Sequence, residues 1–118
     1  MATLTAKLTL TGTDLTSDAL NLTVTKALSI SKAVEVKRIT TATTAAAIVD
    51  KDDYTKAWVY VKNIDDTIAM TLVKANGGDE FMALEAGEFA FFPWSTSIDL
   101  MVDAASGSPV LEVAIFEV

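Results

Sequence analysis

The chain has no cysteine and no histidine among its 118 residues. Without cysteine it forms no disulfide and has no thiolate metal ligand. Without histidine it lacks the commonest general base, the commonest metal ligand and the side chain that usually titrates near neutral pH. Nucleophilic catalysis needs a base beside the nucleophile, and no Ser–Lys motif replaces the missing histidine. We therefore predict that the protein is not an enzyme and carries no cofactor.

Acidic residues are the remaining source of site chemistry, and they occur in short clusters. Asp50, Asp52 and Asp53 lie in one predicted turn, but their spacing lacks the Gly and the terminal Glu of an EF-hand. Glu85 and Glu88 flank another turn, and nothing in the sequence raises the pKa of either carboxyl group, as a glycosidase pair would require. We expect no catalytic residue and no metal site.

The net charge is −7 and is unevenly distributed along the chain. Residues 60–118 carry ten acidic and two basic side chains, which opposes nucleic-acid binding. An acidic excess is typical of a solubilising surface. Alternatively, the acidic half and a basic cluster in the first half face different partners; the cluster is Lys32, Lys37 and Arg38.

The chain is more apolar than a typical soluble monomer, with 51% hydrophobic residues and a mean hydropathy of +0.38. Part of that apolar surface is therefore expected to be buried against other chains. No apolar run approaches the roughly 18 residues of a membrane-spanning helix, so we predict no membrane partner.

The apolar residues recur with a period of two, which predicts β-strands. Turn signals such as Asn76–Asp79 and Ser106–Pro109 separate these segments. Eight to nine evenly spaced strands predict an all-β fold, an antiparallel β-sandwich that is jelly-roll-like, in a single domain over residues 1–118. Within it, Met1–Leu10 is an edge strand or an arm. Residues 40–47 are compatible with a strand or a loop.

Aromatic residues concentrate in the second half of the chain. Phe89 and Phe91 share one face of a predicted strand, and we expect both to be buried. Trp58, Tyr60 and Trp94 are more typical of a core than of a sugar-stacking platform, because strand aromatics at period two are usually buried. Trp94 follows a proline at a strand end and is a candidate contact with a partner.

Two motifs occur together in this half. VYVKN spans residues 59–63, L-x-x-GEFAFFP spans residues 84–93, and a closing strand, LEVAIFEV, spans residues 111–118. With these motifs, the span from Lys56 to Trp94 resembles small β-sandwich structural proteins of tailed bacteriophage virions, most of all capsid decoration (cement) proteins. The resemblance covers about half of the chain well and the first fifty residues weakly.

The resemblance implies a non-enzymatic coat component on the outer capsid surface of the virion. Such a protein binds the major capsid protein lattice and stabilises it, and is often a homo-oligomer, so the resemblance implies a trimer or dimer of this chain. The resemblance also leaves open a tail, neck or fibre component, with glycan or host-surface binding. We expect the partner contacts to include four residues: Lys32, Lys37, Arg38 and Trp94.

Overall fold

The computed structural model describes residues 2–15, 17–75, 78–95 and 97–118. In these residues the chain forms strands and no helix, so the described part contains no helix that could cross a membrane. The strands pair in antiparallel sheets, which confirms the predicted all-β class. There are ten strands in the described ranges: β1 (Ala2–Gly12), β2 (Leu20–Ile30), β3 (Lys32–Thr40), β4 (Ala46–Val49), β5 (Ala57–Asn63), β6 (Met70–Lys74), β7 (Glu80–Leu84), β8 (Phe89–Trp94), β9 (Leu100–Ala104) and β10 (Val110–Glu117).

The chain divides into two compact units, Met1–Ser31 and Lys32–Val118. The prediction of a single domain over the whole chain stays a prediction. The first unit is a hairpin in which β1 pairs with β2 from Ala2↔Ile30 to Gly12↔Leu20 without a register shift. Residues 20–30 therefore form one continuous strand, because their apolar residues keep one parity over its whole length.

The second unit contains two four-stranded antiparallel sheets. The first sheet has the order β3-β10-β5-β8, and the second has the order β4-β9-β6-β7. Buried aliphatic side chains from both sheets form one hydrophobic core, so the unit is β-sandwich-like. The core consists of Val49, Ala57, Val59, Val61, Met70, Leu72, Leu84, Leu100, Val102, Leu111, Val113 and Ile115.

Strand β5 lies in the interior of the first sheet, between β10 and β8. Its burial alternates strictly: Val59 and Val61 are fully buried, and Trp58 and Tyr60 are half-buried on the other side. This separation of faces follows from the two-residue period of the strand.

Residues 40–47, for which the sequence allowed either a strand or a loop, form a loop that leads into a short strand. Strand β3 ends at Thr40, and β4 begins at Ala46 and pairs with β9. Buried Thr41 closes the loop, because its backbone N–H and its hydroxyl both donate to the carbonyl of Pro109, at 3.0 and 2.7 Å. The polar groups of buried Thr41 are thus satisfied by a carbonyl that lies 68 residues further along the chain.

The side-chain amide of Asn63, at the end of β5, lies fully buried between three backbone segments. Its Nδ2 donates to the carbonyls of Ile68, at 2.8 Å, and Leu84, at 2.9 Å. Its Oδ1 accepts a hydrogen bond from the backbone N–H of Asp65 at 3.0 Å. Both donor hydrogens and the oxygen are therefore engaged, as a buried amide requires.

The backbone of Asn63 also forms hydrogen bonds, and together with those of its side chain they make up what we call the Asn63 junction. Its N–H donates to the carbonyl of Glu88 and its carbonyl accepts from Gly87, both at 2.9 Å. Gly87 has a φ of +81°, a conformation that residues with a side chain rarely adopt. The two sequence motifs therefore meet at one point, because Asn63 ends the first and Leu84, Gly87 and Glu88 belong to the second.

Replacing this amide tests its importance for stability. We expect Asn63→Ala to lower the free energy of unfolding by about 2–4 kcal/mol, because it leaves buried carbonyls without donors. Urea denaturation measures the change. Asp66→Ala, in the exposed turn that follows, is the control and should stay within about 0.5 kcal/mol of the parent. Equal stability of the two variants would contradict the role given to Asn63.

Candidate interaction surface

The outer face of the first sheet carries a group of aromatic side chains. Paired residues of an antiparallel sheet lie on the same face, opposite the buried Val59 and Val61. Trp58 pairs with Phe116, Tyr60 pairs with Phe91, and Lys62 pairs with Phe89. We call this group the aromatic face, which consists of Trp58, Tyr60, Phe89, Phe91 and Phe116.

The aromatic face is open to solvent. Phe89 is 63% exposed, and the other four members are half-buried. The rings of Trp58 and Phe91 stack with centroids 5.2 Å apart and an interplanar angle of 27°, an offset geometry that aromatic pairs favour. Trp58 and Phe91 therefore hold each other in place at the centre of the aromatic face.

Polar groups adjoin the aromatic face on strand β10. Glu112 accepts a hydrogen bond from the Tyr60 hydroxyl at 2.7 Å and lies 3.5 Å from the Arg38 guanidinium. Burial raises the pKa of Tyr60 above its ordinary value, and the hydrogen bond to Glu112 and the charge of that carboxylate add to the rise. Tyr60 is therefore held as a neutral hydrogen-bond donor at physiological pH.

The basic cluster predicted from the sequence lies along β3, an edge strand of the first sheet. Lys32 has its ammonium group 4.6 Å above the ring centre of Tyr54. Lys37 is exposed and pairs with Val113, whereas Arg38 pairs with Glu112. Successive residues point to opposite faces, so Lys37 and Arg38 lie on different sides, and Arg38 is the one beside the aromatic face.

Trp94 lies at the opposite edge of the first sheet, on β8. It pairs with buried Ala57 and packs against the core, so it is on the inner side of the sheet. Its indole N–H donates to the carbonyl of Ile98 at 3.0 Å, and its ring stacks on Phe81 with centroids 5.4 Å apart. The structure therefore does not bring Trp94 together with the basic cluster.

The expected burial of Phe89 and Phe91 is wrong. In β8 it is Ala90 and Phe92 that pair with buried Val61 and Val59 and pack against the core. The same correction applies to Trp58 and Tyr60, which are half-buried on the outer face and do not belong to the core.

One signal in the sequence points to the correct face. Trp58 and Tyr60 share their parity with charged Lys62, whereas Val59 and Val61 are entirely aliphatic. A charged residue marks the solvent side of a half-buried strand.

The carboxylates of the acidic clusters accept hydrogen bonds from backbone N–H groups within turns. The Asp50 carboxylate accepts from the backbone N–H of Asp52 at 2.9 Å, and its carbonyl accepts from Asp53 at 3.1 Å. The Glu88 carboxylate accepts from the backbone N–H of Glu85 at 2.7 Å. In the described ranges, no group of three or more His, Cys, Asp or Glu side chains could hold a metal ion.

Comparisons with known protein families, with curated proteins and with solved structures found nothing that matches this chain. A fold alone does not imply a function, so the surface of the second unit is the remaining indication of what the protein does. The rings of the aromatic face lie outside the hydrophobic core, so packing of that core does not explain them.

Two phenylalanines on one strand test the assignment of faces. We expect Phe92→Ala to cost at least about 2 kcal/mol of unfolding free energy, because Phe92 packs against the core. Phe89→Ala should cost less than about 1 kcal/mol, because its ring is already mostly in water. Denaturant unfolding of both variants gives the comparison, and a larger loss for Phe89→Ala would place the strand in the opposite register.

The titration of Tyr60 tests its coupling to Glu112. The pKa values of Tyr60 and Tyr54 are both raised by folding. Their contribution to stability is therefore complete below about pH 10 and is lost as pH rises through the folded values. We expect Glu112→Gln to lower the pKa of Tyr60 and leave that of Tyr54 unchanged. Phenolate absorbance during an alkaline titration measures both, and an unchanged curve would contradict the coupling.

Proposed function

We propose that this chain is a non-enzymatic structural protein of a tailed bacteriophage virion. In this proposal it decorates the capsid by binding the outer surface of the major capsid protein lattice. The resemblance of the span Lys56–Trp94 to decoration proteins suggests the class. The exposed aromatic face is the observation that carries the proposal, since it supplies a binding surface without any catalytic group.

We further propose that the second unit is a jelly roll. Its strands pair from the outside inwards along the chain: β3 with β10, β4 with β9, β5 with β8 and β6 with β7. A long antiparallel ribbon that folds back on itself and wraps into two sheets has this pairing. Jelly rolls are common among viral capsid proteins, so this topology is compatible with a virion role.

The composition of the aromatic face supports a protein partner. The cores of protein interfaces are enriched in Trp, Tyr, Phe and Arg, and their rims are polar. The aromatic face has this arrangement, with Glu112 and Arg38 beside its rings. Phe89 is 63% exposed beside the half-buried rings of its neighbours, and a contiguous exposed apolar patch of this kind often marks an interaction site.

The rigidity of the aromatic face favours tight docking. Its residues lie on strands whose other sides form the hydrophobic core, and Trp58 is already stacked on Phe91. Binding therefore immobilises few side chains, so the conformational entropy lost on binding is smaller than for a flexible surface.

Stabilisation of the capsid would follow from mass action. A protein that binds the assembled lattice and not its free subunits lowers the free energy of the assembled state. If copies also contact one another, the many sites of the lattice turn a modest contact into avid binding.

A matched pair of phenylalanine variants tests the docking surface. We expect Phe89→Ala to weaken binding to undecorated capsids at least about tenfold, the effect of truncating a central aromatic contact. Phe81→Ala is the control, because Phe81 is also exposed (38%) but lies on β7 of the second sheet. Co-sedimentation with the particles measures binding. Equal binding by both variants would exclude the aromatic face as the docking surface.

Particle stability tests the role itself. Capsids without this protein should burst at a lower temperature or under a smaller osmotic shock than decorated capsids. Adding the purified chain back should restore resistance, whereas the Phe89→Ala variant should restore it less. Unchanged bursting with and without the protein would contradict decoration.

The stacked Trp58–Phe91 pair also supports a second candidate function. Aromatic rings on an open sheet face are suited to stacking on sugars, which fits a tail, neck or fibre component that binds host glycans. Copy number separates the two candidates, since a lattice protein is present in proportion to the capsid subunits and a tail component is far rarer. Absence of binding on a glycan array would remove the sugar-binding alternative.

A further inference from the structure

The hairpin formed by β1 and β2 is an amphipathic sheet of two strands. Its residues pair in one continuous register, so all even-numbered residues lie on one face and all odd-numbered residues on the other. The odd-numbered face is mainly threonine. The even-numbered face is apolar except for Lys26, and it consists of Ala2, Leu4, Ala6, Leu8, Leu10, Gly12, Leu20, Leu22, Val24, Lys26, Leu28 and Ile30.

The half of the even-numbered face that is nearest the turn is exposed. Leu8 pairs with Val24, and Leu10 pairs with Leu22. Leu15, in the turn, extends this surface, because its side chain occupies the space that a side chain at residue 12 would need. We call these five residues the hairpin patch, and each is between 43% and 68% exposed: Leu8, Leu10, Leu15, Leu22 and Val24.

We propose that the hairpin patch is covered by the same patch of a second copy of this chain. A two-stranded sheet is at best marginally stable when one apolar face stays in water. Packing two such faces against each other, as the layers of a β-sandwich pack, removes both from water at once. The same surface on both copies makes a two-fold symmetric contact.

The distribution of charge favours a second copy as the partner. Residues 1–31 carry two lysines and two aspartates, a net charge of zero. Residues 32–118 carry seven basic and fourteen acidic side chains, so the whole net charge of −7 belongs to the second unit. Copies that meet through their acidic units repel one another, whereas copies that meet through neutral hairpins do not.

Neither lysine of the hairpin opposes this contact. Lys7 lies on the odd-numbered face, and Lys26 pairs with Ala6, outside the hairpin patch. A strongly charged partner would find no opposite charge on the patch. An uncharged apolar surface of the same shape is the better match, and a second copy supplies it.

The area of the face sets the strength of the association. The hairpin patch covers five paired positions of each strand, from Leu8 to Gly12 and from Leu20 to Val24, a face of about 17 by 10 Å, or about 170 Å², from the ordinary dimensions of a sheet. Two copies therefore bury about 340 Å² in projection, far below the 1,200–2,000 Å² that is usual for stable interfaces. The association is accordingly reversible and depends on concentration. It deepens the proposed decoration function, because copies held close together on a lattice would associate most.

Sedimentation velocity over a range of concentrations tests the inference on the free protein, without capsids. The full chain should associate as concentration rises. Leu22→Thr/Val24→Thr should remain monomeric, and threonine preserves the strand propensity of the hairpin. Thr23→Ser/Thr25→Ser, on the opposite face, is the matched control and should associate like the parent. Circular dichroism shows whether each variant is folded.

A monomeric parent at every concentration would overturn the inference, as would equal association of the parent and the patch variant. These outcomes do not depend on capsid binding. A failure here is therefore distinguishable from a failure of the decoration proposal, which the Phe89→Ala binding experiment tests.

The absence of cysteine from the chain allows a direct test of geometry. Leu10→Cys places one thiol on the even-numbered face, and Thr9→Cys places one on the opposite face. A short bifunctional maleimide should cross-link the Leu10→Cys variant into dimers and leave the Thr9→Cys variant monomeric. Equal cross-linking of both variants would indicate pairing at the strand edges and would overturn packing through the hairpin patch.

Discussion

The buried amide of Asn63 is the interaction on which the rest of the second unit depends. It joins the end of β5 to the loop before β6 and to the end of β7 through the carbonyls of Ile68 and Leu84. The backbone N–H of Asn63 then donates to the carbonyl of Glu88, which aligns β8 beside β5. A slip of one residue at this point would turn every side chain of β8 to the other face. The outward position of Phe89 thus follows from the Asn63 junction.

The strands and their alternation are predictable from the sequence, because a period of two is a local property. Which face of a strand is turned towards the core is not a local property. In β8 both faces carry phenylalanine, with Phe89 and Phe91 on one side and Phe92 on the other, so hydrophobicity alone does not choose between them. The choice is made by pairing with Val61 in β5, which is distant along the chain. Charged Lys62, of the same parity as Trp58, was the available clue to the aromatic face.

The two apolar surfaces differ in ways that suit different partners. The aromatic face is rigid, lies on a sheet with a packed core behind it, and is bordered by the Glu112 and Arg38 side chains. The hairpin patch is aliphatic, has no net charge around it and lies on a sheet of only two strands. A firm aromatic surface with polar groups fits a specific foreign protein, whereas a neutral aliphatic surface fits a copy of itself. In the proposed decoration role, the aromatic face contacts the capsid protein and the hairpin patch contacts another copy of the chain.

Hydroxyl-radical footprinting of the protein, free and bound to capsids, shows which side chains lose contact with water and so reveals whether the aromatic face binds the capsid. We expect Phe89, which is 63% exposed in the free chain, to be strongly protected from oxidation on the particle. Phe81, exposed on the second sheet, should be oxidised equally in both states. Equal oxidation of Phe89 in the free and bound protein would contradict the claim that the aromatic face contacts the capsid.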